Sequence, residues 1–231
     1  MNKFRFSRKT ARLIVLQRIE LLNYFQKKIR KIFGRYAFAN FFLKLLINKK
    51  LIETKYFSLM EKEFETLKND IQFSNKKFLS IGGGLGGFEL IINKSTNNNL
   101  FYFIEKNYVS KKIIYGWDYK NLEAYNDLLL VKDFLTKNGM KIEQFRIFDF
   151  DKQQLPEEKF DFIISLYSLD YHYDFNIYMN YLKKVSHNET KIIFDTIRSE
   201  YFKKVFRNVK VVQSQDSTVH RSKRIVCNEF I

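Results

Sequence analysis

A cluster of glycines is the first feature of this sequence that points to chemistry. Five of the eight glycines in the 231-residue chain lie within six positions, at Gly82, Gly83, Gly84, Gly86 and Gly87. They follow the apolar run Phe78–Ile81 and precede a helical pattern that begins near Phe88. Glycine is needed where the backbone adopts a positive φ or approaches a ligand closely. A strand, a glycine loop and a helix in this order are typical of a nucleotide-binding turn, and the alternative is a glycine-rich turn without a ligand.

Acidic residues follow the next two apolar runs. Glu105 ends the second run, 23 residues after Gly82, where a carboxylate can accept hydrogen bonds from both hydroxyls of a ribose. Asp149 ends the third run, and an acid there suits the amino group of an adenine, with Phe150 beside the ring. The spacing therefore predicts an adenosine-containing cofactor. The glycine pattern alone fits NAD as well as S-adenosylmethionine.

The glycine loop, Glu105 and Asp149 together resemble the class I S-adenosylmethionine-dependent methyltransferases. In that family a strand enters G-x-G-x-G, acids end strands two and three, and Leu-Pro followed by Phe-Asp leads into strand four. Here the last pattern is Leu155-Pro156 and Phe160-Asp161. The resemblance covers about residues 77–231. It implies S-adenosylmethionine as the cofactor, and methyl transfer by in-line displacement at a sulfonium.

The resemblance also implies which residues bind the cofactor. Glu105 would bind the ribose, Asp149 and Phe150 would bracket the adenine, and three glycines would line the methionine moiety. One residue departs from the family pattern, because Ser80 stands where the family usually has an acid that helps hold the methionine end. This departure leaves open a non-catalytic member of the family. The full implied set is Ser80, Gly82, Gly84, Gly86, Glu105, Asp149, Phe150 and Ser165.

The segment after strand four faces the methyl group in this family, and here it contains two catalytic candidates. His172 is a candidate base, because an imidazole pKa of about 6.5 suits proton removal near neutrality; the alternative is a histidine at the surface. Asp170 is a candidate orienting carboxylate or second base, and the alternative is a solvated acid or a helix cap. Three tyrosines could shape an acceptor pocket or be ordinary aromatic residues: Tyr167, Tyr171 and Tyr173.

The order of elements predicts a Rossmann-like α/β fold. Short apolar runs alternate with helical stretches at about 87–94, 122–137, 174–185 and 199–206. This alternation is typical of a doubly wound, mostly parallel sheet, here of seven strands with an antiparallel terminal strand. The predicted strands are Phe78–Ile81, Leu100–Ile104, Phe145–Phe148, Phe160–Ser165, Lys191–Phe194, Val209–Val212 and Arg224–Phe230.

Residues 1–75 have a different character and predict a basic helical segment in front of a methyltransferase domain at 76–231. Residues 1–50 hold 14 basic side chains and one acidic one, Glu20, and so carry +13 of the net charge of +16. Apolar spacing predicts helices at about 8–33, 36–48 and 53–69. The segment could be a helical cap over the cofactor and acceptor sites. It could instead lie on an anionic membrane surface, or bind RNA.

The composition excludes several classes of protein. The single cysteine, Cys227, excludes an intramolecular disulfide and any multi-cysteine metal site, and no metal-binding residues are predicted. No apolar run reaches the roughly 18–20 residues of a membrane span. Charges at Arg12, Arg18 and Glu20 argue against a signal peptide. The expected location is the cytoplasm, with a peripheral position at the inner face of the membrane as an extension of that expectation.

A finer resemblance concerns the acceptor. The stretches 81–88 and 160–172 look like those of bacterial sugar O-methyltransferases linked to surface polysaccharides. That resemblance implies a saccharide hydroxyl, on a glycan precursor, as the methyl acceptor. The alternatives are an RNA methyltransferase that uses the basic segment, a non-catalytic protein that binds S-adenosylmethionine, and, least favoured, a nicotinamide-dependent dehydrogenase.

Overall fold

The fold is built on one seven-stranded sheet. A computed structural model describes residues 3–34, 37–38, 41, 47–110, 123–214 and 221–231. The strands are β1 (Lys77–Ile81), β2 (Leu100–Glu105), β3 (Phe145–Asp149), β4 (Phe160–Ser165), β5 (Ser186–Thr196), β6 (Phe206–Ser214) and β7 (Lys223–Phe230). Their order across the sheet is β3-β2-β1-β4-β5-β7-β6.

The strand directions confirm the predicted doubly wound sheet. The strands β1 to β5 pair in parallel, while β7 is antiparallel to both β5 and β6. The chain order reverses between β1 and β4, and such a reversal opens a crevice outside the carboxyl ends of the strands. Glu105 and Asp149 are register partners at that edge, so both acids follow directly from the ends of neighbouring strands.

The helices of the described residues cover both faces of the sheet. They are α1 (Arg8–Gln17), α2 (Tyr24–Phe33), α3 (Lys49–Ile71), α4 (Gly87–Ser95), α5 (Leu128–Lys137), α6 (Phe175–Val185) and α7 (Ser199–Phe202). Alternate residues of β2 enter two different cores: Phe101 and Phe103 pack with α3, α4 and α5, whereas Tyr102 and Ile104 pack with α6 and α7. A parallel sheet that is covered on both faces accounts for the continuous apolar runs of the sequence.

Two helix starts differ from the sequence prediction because side chains cap the helices, and α7 ends at Phe202 rather than near residue 206, where β6 begins. Helix α3 begins at Lys49 rather than near residue 53, since the Asn48 side chain accepts a hydrogen bond from the Leu51 amide at 3.2 Å. Helix α5 begins at Leu128 rather than near residue 122, since the Asp127 carboxylate accepts from the first amides of that helix. A capping side chain satisfies amides that have no partner within the helix.

The predicted helix over 8–33 is two helices, and the break has a function in the fold. Helix α1 ends at Gln17, a 3₁₀ turn covers Ile19–Leu21, and Asn23 caps α2 in a capping box with Gln26. Helix α1 buries most of its apolar side chains, whereas α2 buries none of its residues. One straight helix could not do both. The predicted helix at 36–48 falls mostly outside the described residues.

The N-terminal segment is part of the main core. Phe4 is fully buried, with its ring 5.1 Å from the rings of Phe57 on α3 and Phe134 on α5. The Arg5 amide donates to Asn138 Oδ1 at 2.7 Å, and Lys9 pairs with Asp127 at 2.9 Å. The division into domains at residue 75 stays a prediction, because residues on its two sides share one apolar cluster.

We expect Phe4→Ala to lower the free energy of unfolding by about 3–5 kcal/mol, because it leaves a cavity between α3 and α5. Urea unfolding followed by circular dichroism measures the change. The matched control is Phe25→Ala on α2, where the ring is exposed and the change should stay within about 0.5 kcal/mol. Equal, small effects of both substitutions would show that the segment before α1 does not contribute to the core.

Candidate functional site

One cavity of about 210 Å³ lies at the carboxyl edge of the sheet, where the strand order reverses. The ends of β1, β2 and β4 form its floor. The segments 17–20 and 123–126 form two of its sides, and the turn 166–173 forms another. The cavity therefore joins the three parts of the sequence in which the candidates were found, together with two segments that sequence reasoning left out.

Two positions of the glycine loop that line the cavity require glycine, because of their backbone conformation and because a Cβ there would collide with neighbouring side chains. Gly82 and Gly84 line the cavity with φ of +65° and +69°. A Cβ at Gly82 would collide with Ser168, and one at Gly84 would lie 2.8 Å from Gln17 Oε1. Gly86 lies outside the cavity; its φ is +79°, and a Cβ there would lie 2.9 Å from atoms of Leu135 and Phe103. Gly86 therefore serves helix packing, and the other two shape the cavity.

Glu105 is buried at the end of β2 and is tied to the glycine loop. Its Oε1 accepts from the Gly84 amide at 2.8 Å, and its Oε2 accepts from Asn126 Nδ2 at 2.9 Å. The same Asn126 nitrogen donates to the Gly84 carbonyl at 2.8 Å. Burial raises the pKa of Glu105 to about 8, although both hydrogen bonds favour the charged form. Asn126 is a site residue that the sequence analysis missed.

Glu89 places a carboxylate beside the residue where the family pattern has its acid. The Ser80 hydroxyl donates to Glu89 Oε1 at 2.5 Å, and both side chains are about 2% exposed. Glu89 lines the cavity from the first turn of α4, and its Oε2 has no hydrogen-bond partner among the described residues. Burial raises its pKa to about 7. Sequence reasoning noted the missing acid at Ser80 but not its neighbour in space, nine residues along.

Among the other expected cofactor residues, only Phe150 reaches the cavity. Lys106 Nζ lies 4.9 Å from the Phe150 ring centroid. Asp149 is buried beneath the cavity wall and accepts from the Asp151 amide at 3.1 Å. Ser165 donates to the Ile81 carbonyl at 2.8 Å and accepts from the Leu169 amide at 2.9 Å, so it joins β4 to β1 and to the following turn.

His172 lies in the cavity wall, within an aromatic surface. Its ring meets Tyr171 edge-on with centroids 5.1 Å apart, and its amide donates to the Ser168 carbonyl at 2.8 Å. Tyr167 lines the same side with a φ of +61°, a strained value for a non-glycine residue, and its ring lies between two guanidiniums. The distances from the Tyr167 centroid are 5.2 Å to Arg18 and 5.4 Å to Arg224.

Asp170 is turned away from the cavity, in contrast to the expected role as orienting group or base. It is 1% exposed, and it accepts from Thr196 Oγ1 at 2.5 Å and from Arg198 Nε at 3.0 Å. A second, shorter bond joins it to Arg198 Nη2. Its φ of +58° shows that the turn holds this orientation at the cost of backbone strain. The geometry makes Asp170 a residue that holds the turn carrying His172.

The N-terminal segment closes one side of the cavity. Gln17 Nε2 donates to the Tyr125 carbonyl at 2.6 Å, so the end of α1 is tied to segment 123–126. Arg18 forms two bonds to Glu63 on α3, at 3.0 and 3.4 Å. Glu20 also lines the cavity. No local sequence signal marks these side chains, because they reach the site only through the break after α1.

Two findings concern whole classes of site. Within the described ranges, no three His, Cys, Asp or Glu side chains are grouped so that they could hold a metal ion. The same part of the chain contains no helix with the length and apolar content that crossing a membrane requires.

Comparison with solved structures supports the fold. A complex from Haloferax volcanii, between the Trm112 methyltransferase activator and a protein described as a methyltransferase, matches 76% of this chain and 94% of that chain with a TM-score of 0.50 and 8% identity. The Geobacter metallireducens precorrin-6y C5,15-methyltransferase matches 80% of this chain and 90% of its own, with a TM-score of 0.46 and 12% identity.

A third similar structure is the 16S rRNA N2 G1207 methyltransferase of T. thermophilus in complex with AdoMet and guanosine, with a TM-score of 0.49 and 13% identity. The match covers 74% of this chain but only 42% of the rRNA enzyme. No protein-family model and no curated protein matches the sequence. At these identities the likeness shows the fold alone, a Rossmann-like α/β fold, and the match with a TM-score of 0.50 is the one that supports it.

We expect Glu89→Gln to change how stability depends on pH. The pKa of Glu89 is raised above the ordinary value of 4.5 to about 7, so its contribution to stability is complete below pH 4.5 and is lost as the pH rises to about 7. The glutamine keeps the bond from Ser80 but cannot ionise. At pH 8 the variant should therefore be more stable than the wild type by roughly 1–3 kcal/mol, with little difference at pH 5.

Thermal and urea unfolding at pH 5, 6, 7 and 8 measure this difference. Glu143→Gln, at an exposed position, is the control and should follow the wild-type profile. A constant offset between Glu89→Gln and the wild type at all four pH values would show that the Glu89 carboxyl does not titrate in this range.

Proposed function

We propose that the protein transfers a methyl group from S-adenosylmethionine to a hydroxyl group of a saccharide. The observation that carries the proposal is the cavity at the strand reversal, which is lined by Gly82, Gly84, Glu105 and Glu89 and also by the tyrosine-rich turn that contains His172. The fold by itself does not define a function. The support for the proposal comes from the fit of these side chains to the cofactor and from the other groups that line the cavity.

The cavity residues fit S-adenosylmethionine. Gly82 and Gly84 bring the backbone of the loop to the cavity, Glu105 presents a buried carboxylate to ribose hydroxyls, and Phe150 offers a ring to the adenine. When bound, the cofactor supplies an electrophilic methyl group on a sulfonium. The protein then has to orient the acceptor, exclude water and accept a proton.

The charges of the cavity support a cationic ligand. Its described wall carries two cationic side chains and four carboxylates. Glu89 Oε2 is buried without a hydrogen-bond partner among the described residues, so an ammonium group placed there would replace a desolvation cost with an ion pair. S-adenosylmethionine carries an ammonium and a sulfonium. Glu89, held by Ser80, thus takes the place of the acid that the family pattern has at position 80.

The turn 166–173 and the segment 17–20 form a part of the cavity that fits a small acceptor with hydroxyl groups. Tyrosine rings can pack against the C–H faces of a sugar, while their hydroxyls, Gln17 and Glu20 offer partners to sugar hydroxyls. His172 is the one histidine among the described cavity residues, and it takes the acceptor proton in this proposal. Residues 17–20 close one side, which favours a small acceptor over a folded RNA.

Cofactor binding tests the first half of the proposal. Titration calorimetry with S-adenosylmethionine should give saturable binding, and Glu105→Ala should weaken it roughly 10- to 100-fold through the loss of hydrogen bonds to the ribose. Wild-type affinity should rise from pH 6 to pH 8, because a cation binds the charged form of Glu89, whose pKa is about 7 before binding. Glu89→Gln should reduce that rise, and the part that is left belongs to Glu105, whose pKa is about 8.

Glu143→Ala is the control and should bind like the wild type. Saturable binding of NAD together with no binding of S-adenosylmethionine would replace the proposed function with that of a dehydrogenase. Binding of neither would favour a protein without this cofactor.

Turnover tests the second half. Release of S-adenosylhomocysteine should depend on an added saccharide, in assays with free sugars, nucleotide-linked sugars and total RNA as separate acceptors. His172→Ala should lower kcat about 100-fold while the affinity for S-adenosylmethionine changes less than about twofold. His187→Ala, at an exposed position, is the matched control. Turnover with RNA alone would overturn the saccharide assignment, and unchanged turnover of His172→Ala would remove this residue from the reaction.

A further inference from the structure

Helix α2 has no fully buried residue, although Ile29 packs against the main core, and it combines exposed apolar side chains with four basic ones. We infer that α2 docks on the surface of an anionic lipid bilayer, with its apolar side among the headgroups and its lysines against the lipid phosphates. This inference is independent of the proposed activity, since it requires neither cofactor nor acceptor.

The apolar side of α2 is exposed to solvent. Tyr24, Phe25 and Ile32 are 74%, 63% and 75% exposed, although large apolar side chains usually pack against other parts of a protein. At 100° per residue the three side chains fall within an arc of about 100° on the helix. They form one stripe along the helix, and Lys28 falls within the same arc, about 40° from Tyr24. A stripe of this kind on a short helix is typical of segments that lie in a membrane interface.

The helix is also strongly basic. Its ten residues, YFQKKIRKIF, include four basic side chains and no acidic one. Lys27 and Lys31 are one turn apart, on the Tyr24 side of the apolar stripe, and Lys28, which lies within the stripe, has its Nζ 4.7 Å from the Tyr24 ring centroid. Long lysine side chains can extend from such a border towards phosphate groups while the rings enter the interface. Each lysine near an anionic surface contributes about 1 kcal/mol to binding.

The charge decides between a membrane and a second copy of this chain. Two copies of α2 that packed through their apolar stripes would bring eight basic side chains together without an acid, because each helix carries four. Like charges at that distance repel. An anionic bilayer instead offers hydrocarbon for the stripe and phosphate for the lysines on one surface.

The apolar stripe also decides between a membrane and RNA. RNA would match the four basic residues, and rings can stack on bases, but Ile32 has no such partner in RNA. Ile32 is the most exposed residue of the stripe. The lipid interface is the one partner class of the two that accepts both rings and an aliphatic side chain.

The position of α2 would bring the cavity close to the bilayer. Glu20 lines the cavity, and α2 begins four residues later at Tyr24. Four residues of extended chain span at most about 14 Å. A cavity wall this close to the docked helix suits an acceptor attached to a lipid, and this last point rests on the proposed function.

Sedimentation of the full chain with vesicles tests the inference. Vesicles of phosphatidylcholine alone are compared with vesicles that contain 30% phosphatidylglycerol, each at low and at physiological salt. We expect binding to the anionic vesicles, weakened by salt. Phe25→Ser with Ile32→Ser, and separately Lys27→Glu with Lys31→Glu, should each lower the partition coefficient roughly tenfold or more.

The controls have the same chemistry at a site away from α2. Leu129→Ser removes an apolar side chain that is 79% exposed on α5, and Lys132→Glu reverses an exposed charge on the same helix. Both should bind vesicles like the wild type. Urea unfolding shows whether each variant is folded. As a second measurement, Phe25→Cys carries an environment-sensitive dye that should shift to the blue with anionic vesicles only, since the natural Cys227 is buried.

The outcomes separate the partner classes. No binding to anionic vesicles, or binding that the Phe25 and Ile32 substitutions leave unchanged, would overturn the inference. Binding to single-stranded RNA that survives those two substitutions, with no vesicle binding, would assign the helix to RNA. Vesicle binding by a protein that shows no methyl transfer would count against the proposed function and would leave the inference about α2 unaffected.

Discussion

The hydrogen bonds to the buried carboxylate of Glu105 are the interaction on which the site depends. The carboxylate receives hydrogen bonds from the glycine loop after β1 and from Asn126 in the segment before α5, so one side chain from β2 joins three separate stretches of chain. Burying a carboxylate is unfavourable unless donors surround it. The backbone amide of Gly84 can serve as a donor because the loop holds a left-handed conformation there. The conformation of the glycine loop and the position of Glu105 therefore depend on each other.

A second buried acid, Glu89, extends the same principle to the other side of the loop. It is satisfied on one oxygen by Ser80 and has no partner for the other among the described residues. Burial raises the pKa of both acids, and the nearby charge of Glu89 raises that of Glu105 further, because like charges repel. Ionisation of these two acids is therefore unfavourable before a ligand binds. Polar groups that folding alone leaves unsatisfied are a common mark of a site made for binding.

The sequence was sufficient for the fold because the fold follows from local patterns. All seven strands were predicted, since a parallel sheet covered on both faces needs continuous apolar runs, and each run ends in turn residues. The glycine loop and Glu105 were predicted for the same reason: both lie at fixed distances from a strand end. Helix starts were less accurate where an Asn or Asp cap decided them, as at Asn48 and Asp127.

The sequence was insufficient where side chains meet across the fold. Nothing local to Glu89 shows that it will face Ser80, and nothing local to Gln17 or Arg18 shows that they will close the cavity. Asp170 demonstrates the reverse case, because it stands two residues from His172 and yet turns into Arg198 and Thr196. The orientation of a residue in a tight turn depends on its φ, and composition does not encode a left-handed φ outside glycine.

The break between α1 and α2 connects the cavity wall to the exposed helix through a short segment of chain. On one side of it, Gln17 and Arg18 are held by hydrogen bonds to Tyr125 and Glu63; on the other, α2 has no fully buried residue and packs against the core through the partly buried Ile29. Bond lengths are fixed, so a connection this short cannot absorb much displacement. A restraint on the position of α2 therefore also restrains Glu20, unless the 3₁₀ turn at Ile19–Leu21 unwinds. The short connection from Glu20 to Tyr24 thus ties the position of this side of the cavity to the position of a largely exposed helix.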